Sequence, residues 1–271
     1  MKKPLPILFA FFLLAVGQVF GGTLSPAETE ELFEEGKSLF RQANSLADDK
    51  PDDSRKLMQK ALLRFQRLVD EGGIRNGRLY YDLGNIHFLL DDLGRAILNY
   101  RRALDYIPDD PNLQQNLAFA RSQRADAFGE PEQQRILKTL FFWHYDFTLR
   151  TRSIVFITTF LTVWILLALR LFIRSAWLTG PAVVLGVVAV LMLGSVIQTQ
   201  IQQRRSNPGV IVAREVVARL SDSETAAPAF TDPLHAGTEF ELVEDRGNWC
   251  QVRLADGQTC WLPADAIGRV H

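Results

Sequence analysis

Long uncharged apolar runs interrupt a chain that otherwise mixes polar and apolar positions. Residues 153–169 carry no charge, and residues 171–173 extend that run if Arg170 directs its guanidinium outward along an apolar stem. Residues 178–197 form a second uncharged run, separated from the first by a short connection that holds Arg170 and Arg174. Each approaches the roughly 20 residues an α-helix needs to cross a bilayer. The pattern predicts a two-helix transmembrane hairpin with spans over residues 153–173 and 177–198. A further apolar run, residues 5–16, follows Lys2 and Lys3 and precedes Gly17, Gly21 and Gly22. That order predicts an export signal over residues 1–22, either a signal peptide cleaved after Gly21 or a signal anchor that stays attached.

Residues 25–128 have helical spacing instead. Within residues 77–110, Tyr80, Leu83, Gly84 and His87 mark a first helix, Ala96, Tyr100 and Ala103 a second, and Pro108 a turn expected to stop it. Gly84 and Ala96 lack bulk where the helices touch, and Tyr80 and Tyr100 fill the space around them. This unit resembles the tetratricopeptide repeat, with His87 standing where tyrosine is usual. The resemblance implies an all-α helical repeat. An earlier degenerate unit has Leu32, Gly36 and Leu39 on one helix and Ala61, Phe65 and Leu68 on the next, with an extended loop expected around Pro51 over residues 48–53. Residues 112–127 read as a capping helix. In tetratricopeptide architecture the first helices line a groove, which would present Arg78, Tyr81, Asn85, Phe88, Gln115, Asn116 and Phe119 to a peptide. Plain solvation of a helix face is the competing explanation.

After the hairpin the period shortens. Residues 203–209 read as a polar linker, and residues 210–220, 239–244, 249–254 and 259–262 read as strands, with turns at residues 245–248 and at Asp256-Gly257. Short strands over this length suggest a small all-β barrel. Gly237-Thr238, Trp249, Val252, Gly257 and Trp261-Leu262-Pro263 resemble a bacterial SH3-like domain over residues 210–271. Trp249 and Trp261 are its candidate ligand surface, although a core position suits Trp261 better. Cys250 and Cys260 are the only cysteines. A two-residue turn at Asp256-Gly257 sets Cys260 opposite Arg253 and sends Cys250 to the other face; a shifted register would bring the two only diagonally close.

Charge adds a conflict to the topology. Arg150, Arg152, Arg204 and Arg205 flank the hairpin outside, against Arg170 and Arg174 in its loop, so the positive-inside rule alone places the flanks in the cytoplasm. Export of the preceding segment places them outside, and that orientation is preferred here. Phe141, Phe142, Trp143 and Tyr145, in a juxtamembrane segment over residues 131–150, suit the headgroup level of a bilayer.

Composition narrows the function classes. A formal net charge of −1 over 271 residues leaves no basic footprint for nucleic acid. His87, His144, His235 and His271 are scattered and form no recognisable acid-base or metal set, so no catalytic residue, metal or cofactor is expected and the chain reads as non-enzymatic.

The order of parts resembles the BatE-type proteins of the Bacteroides aerotolerance operon family, most specifically over residues 80–121 and 141–146. The resemblance implies a scaffold in the bacterial inner membrane, its tetratricopeptide and SH3-like parts on the periplasmic side, acting with von Willebrand factor A-type membrane proteins and a MoxR-type ATPase in stress tolerance. The alternative expectation is an envelope sensor whose SH3-like part grips peptidoglycan.

Overall fold

The computed structural model describes residues 23–126, 128, 129, 132–173 and 176–271, with the side chains of residues 132–135, 176 and 202–205 outside the description. The expected export signal over residues 1–22 and the loop residue Arg174 therefore lie outside the described residues. The chain divides into two compact units, Met1–Arg124 and Ala125–His271.

The first unit is helical. Its starts are written locally: Ser25 and Glu28 form a reciprocal capping box at α1 (Pro26–Leu46), and Pro51 opens α2 (Pro51–Asp70). Asn76, Asp92 and Asp110 accept backbone N–H bonds at the starts of α3 (Gly77–Leu89), α4 (Leu93–Leu104) and α5 (Pro111–Ser122). α1 packs on α2, α3 on α4, and α5 against both α4 and α3. The extended loop expected over residues 48–53 is absent, because Pro51 and the two aspartates after it form the first turn of α2. Pro108 does not stop α4, which ends at Leu104 and is closed by bonds to Ala103 and Arg102 carbonyls; Pro108 instead accepts from the Gln114 side chain at 2.6 Å.

The two helix pairs share one packing device. A Cβ on Gly84 would lie 2.5 Å from the Tyr100 ring, and a Cβ on Gly36 would lie 2.8 Å from the Phe65 ring. In each pair a glycine on the first helix admits an aromatic ring from the second, and both rings are buried.

The second unit begins with the helices α6 (Glu132–Leu140) and α7 (Phe142–Tyr145). α8 (Leu149–Ile173) and α9 (Thr179–Arg205) follow, packed on each other, and both are long and apolar enough to cross a membrane. α9 runs on to Arg205 and β1 starts at Pro208, so the linker expected over residues 203–209 shrinks to Ser206 and Asn207.

An antiparallel five-stranded sheet closes the chain, in the order β6-β5-β4-β1-β7, beside a two-stranded ribbon of β2 and β3. The strands are β1 (Pro208–Ile211), β2 (Glu215–Val216), β3 (Leu234–His235), β4 (Glu239–Asp245), β5 (Trp249–Leu254), β6 (Thr259–Pro263) and β7 (Ile267–Arg269). The sheet is open, with β6 and β7 at its edges, rather than a closed barrel. The single strand expected over residues 210–220 breaks after Ile211, because the backbone of Val212 and Ala213 bonds to the Ala266 carbonyl. Gly209 lets β1 approach the Phe240 ring, which a Cβ at this position would run into.

Candidate functional site

Three places gather side chains beyond what packing requires. On the helical unit, Tyr81, Asn85 and Phe88 of α3 meet Asn116 and Phe119 of α5. Asn85 Oδ1 accepts from the Tyr100 hydroxyl at 2.8 Å and from Asn116 Nδ2 at 3.0 Å, and the same Nδ2 lies 2.9 Å from the Tyr81 hydroxyl. The Phe88 and Phe119 rings pack with centroids 5.6 Å apart. Asn85, Phe88, Tyr100, Asn116 and Phe119, with Phe40 and Asn44 of α1, line a cleft of about 230 Å³, while Tyr81 joins the ladder without lining it. Arg78 and Gln115, expected in the same groove, do not line it and are exposed. Nothing in their own segment marked Phe40 and Asn44 as cleft residues, because the face that α1 turns to the cleft emerges only with its packing. Burial, with Tyr81 adding to it, holds the Tyr100 hydroxyl well above the usual phenol range, so this ladder binds rather than exchanges protons near neutral pH. Asp82, beside the cleft residues on α3, is pushed up to about 6 by burial, although Arg78 and Lys37 act against the shift.

The base of the apolar hairpin holds a second cluster. Arg152 of α8 is 5% exposed. Its Nη1 donates to Ser195 Oγ at 2.8 Å and Thr199 Oγ1 at 2.9 Å on α9, and lies 3.1 Å from His144 Nδ1 of α7. Ser195 Oγ stands 2.7 Å from the same Nδ1. A consistent proton arrangement has Arg152 donating to Ser195 and the Ser195 hydroxyl donating to an unprotonated His144 Nδ1. Burial and the Arg152 charge both hold His144 below its usual range, in keeping with that arrangement. Sequence reasoning counted Arg152 only among the flanking charges. Its place one residue before an uncharged run was the available signal, since a cation inside a span is costly and usually functional.

The C-terminal sheet presents Trp249 and Trp261 on one face. β5 and β6 pair Gln251 with Trp261 and Trp249 with Pro263, so the two tryptophans are diagonal neighbours. Cys250, Val252, Leu254, Cys260 and Leu262 point the other way, into the core. Trp261 is thus buried without belonging to that core. The Arg246 guanidinium covers its ring at 4.6 Å, and Arg219 pairs with its backbone in both directions. Arg246 is itself held by Asp222 and Glu244, each at 2.8 Å. Trp249 is half-buried.

Residues 229–267 match the family described as the bacterial dipeptidyl-peptidase Sh3 domain. The C-terminal sheet is an SH3-like domain. Comparison of the chain with curated proteins and with solved structures finds no match in either.

The SH3-like domain reaches back across the hairpin. Asp126 accepts from the His235 backbone N–H and ring Nδ1, both at 2.7 Å, and from the Thr238 hydroxyl at 2.6 Å. Phe128 packs against the domain's core and meets the Phe230 ring at 6.3 Å. Asp126 and Phe128, expected within the helical part over residues 25–128, therefore belong to the SH3-like body. The Asp256-Gly257 turn also differs from expectation. Val252 pairs with Cys260 and Arg253 with Thr259, so the loop holds three residues, with Gly257 at φ +90°. That shift puts Cys250 and Cys260 on the same face, where both are free thiols.

Proposed function

We propose that this protein is a membrane-anchored, non-enzymatic scaffold whose helical cleft holds an extended segment of a partner protein. One observation carries the reading: the amide-phenol ladder of Tyr81, Asn85, Tyr100 and Asn116 lies beside the Phe88-Phe119 pair. Asn85 spends its carbonyl oxygen inside the ladder and leaves its amide N–H groups without a partner among the described residues, suited to a peptide carbonyl. The aromatic pair supplies apolar area for an adjacent side chain.

In this reading α1–α4 are two tetratricopeptide-type units and α5 caps them, a view supported by the matching Gly36-Phe65 and Gly84-Tyr100 contacts. The two apolar helices form a hairpin whose ends lie on one side of the membrane, supported by the Asp126 and Phe128 contacts to the domain that follows it. That side is the periplasmic face of a bacterial inner membrane, with von Willebrand factor A-type membrane proteins and a MoxR-type system as partners of the BatE kind. Tethering raises the effective concentration of both soluble parts near the membrane surface.

Photocrosslinking in intact membranes tests the cleft. A probe at Phe119 should capture a defined membrane protein and lose it when Asn85→Ala is added, while a probe at the exposed Leu63 should not capture it. Equal capture from both positions, or capture indifferent to Asn85, rejects the cleft as the binding surface.

A further inference from the structure

The Arg152 cluster poses a problem that the hairpin alone does not solve. Arg152 is 5% exposed, yet every partner of its guanidinium is formally neutral: Ser195, Thr199 and His144. Its buried Nε has no hydrogen-bond partner. A buried cation with an unmet N–H and no counter-charge is strongly disfavoured in a low-dielectric setting. Its chemistry calls for an anion with several oxygen acceptors.

A cavity of about 510 Å³ lies beside the cluster, within the size range of small-molecule sites. Phe141, Trp143 and Tyr145 wall it on one side, and Val190 and Leu191 of α9 on the other. His144, Ser195 and Gln198 supply its polar part. Gly194 also lines it, and a Cβ there would meet nothing within 4 Å, so the cavity reaches the α9 backbone. The arrangement is amphipathic: a guanidinium without a counter-charge contacts His144 and Ser195, which line a volume otherwise walled by aromatic and aliphatic groups. It stands at one end of the two membrane-length helices, beside aromatic residues of the kind that settle at headgroup depth. The surrounding molecule with a matching anion and a matching hydrocarbon part is a lipid.

We propose that the base of the hairpin is a binding site for one anionic glycerophospholipid, its phosphate at Arg152 and part of an acyl chain in the cavity lined by Phe141, Trp143 and Gly194. The bound lipid supplies the charge that the protein lacks and fixes the aromatic segment against α9.

Native mass spectrometry of the full chain, purified in a neutral detergent, tests the site. Phosphatidylglycerol and phosphatidylcholine with identical chains are added in parallel, and inorganic phosphate is added alone. One phosphatidylglycerol should stay bound per chain, at least tenfold more tightly than phosphatidylcholine, and inorganic phosphate should not replace it. Arg152→Gln should weaken retention about tenfold or more, and Arg152→Lys by less. Gly194→Leu, which leaves the polar cluster in place and fills the cavity, should reduce retention even if Arg152→Gln fails to fold. Equal retention of the two lipids, or retention unchanged by Gly194→Leu, overturns the proposal. Displacement by inorganic phosphate overturns the lipid in favour of a simple anion.

Discussion

Asp126 grips His235 twice, through the backbone N–H and through ring Nδ1, across 109 residues of sequence that include both apolar helices. Burial pushes the Asp126 carboxyl up, but the bonds from Thr238 and His235 outweigh it and leave the group below its usual range. A depressed carboxyl stabilises the fold above its unfolded value of about 3.9, and that contribution fades as pH falls through the lower folded value. The SH3-like domain should therefore weaken only in strongly acidic solution. Asp126→Ala should cost it about 2–3 kcal/mol at pH 7 and remove the acid-dependent part of the loss. Hydrogen exchange at β3 and β4 in the full chain reads both effects, and unchanged protection in the variant refutes the clamp.

Gly84→Ala should destabilise the helical unit, although alanine is the better helix former by about 1 kcal/mol. The new methyl would meet the buried Tyr100 ring at 2.5 Å, and overpacking of this kind costs about 1–3 kcal/mol. Gly36→Ala should behave alike through Phe65. Chemical denaturation followed by exchange in α3 and α4 measures the change, and a stabilised Gly84→Ala variant contradicts the close approach.

Asp82 should make the helical unit more stable in mild acid. Its folded value of about 6 lies above the unfolded value of about 3.9, so the folded state holds the proton more tightly. Stability should rise as pH falls from 7 towards about 4, then level off. Asp82→Asn should flatten that slope and gain on the order of 1 kcal/mol at pH 7. A titration of thermal stability for both proteins decides the point, since parallel curves exclude Asp82 as the source.

The two cysteines should resist both oxidation and alkylation while the SH3-like domain is folded. Burial pushes the Cys260 thiol up to about 12, with Asp256 adding to it, and burial and then Asp245 raise Cys250. Cys250 pairs with Leu262 and Cys260 with Val252, which makes the thiols diagonal neighbours at roughly 7–8 Å, beyond the ~4 Å Cβ separation of a disulfide. Maleimide should label neither thiol in native protein and both in denaturant. Rapid native labelling at either position overturns the buried placement.

The parts of the fold most legible in the sequence were those with a local physical cause. Uncharged length marked α8 and α9, and the spacing of Ala96, Tyr100 and Ala103 marked α4. The turn at Asp256-Gly257 was visible, but its length was not, because two- and three-residue loops accept the same Asp-Gly pair; the one-residue difference moved Cys260 to the face of Cys250. Asn85, Phe88, Asn116 and Phe119 could be read from helix faces, whereas Phe40 and Asn44 depended on tertiary packing. Arg152 was hardest to read. A charge beside an apolar run looks like an ordinary flank until the opposite helix supplies Ser195 and Thr199.

The clamp at Asp126 has a consequence for the architecture of the whole C-terminal unit. Asp126 and Phe128 are held by the SH3-like body just before the chain departs, and β1 resumes that body with only two residues between it and the end of α9. The apolar hairpin is thus a guest spliced into a host, in the manner of a domain inserted at a tolerant surface point. A host whose parts meet on both sides of the splice can survive removal of the guest. Joining residue 129 to residue 206 through a short flexible loop should release a water-soluble host with its sheet intact.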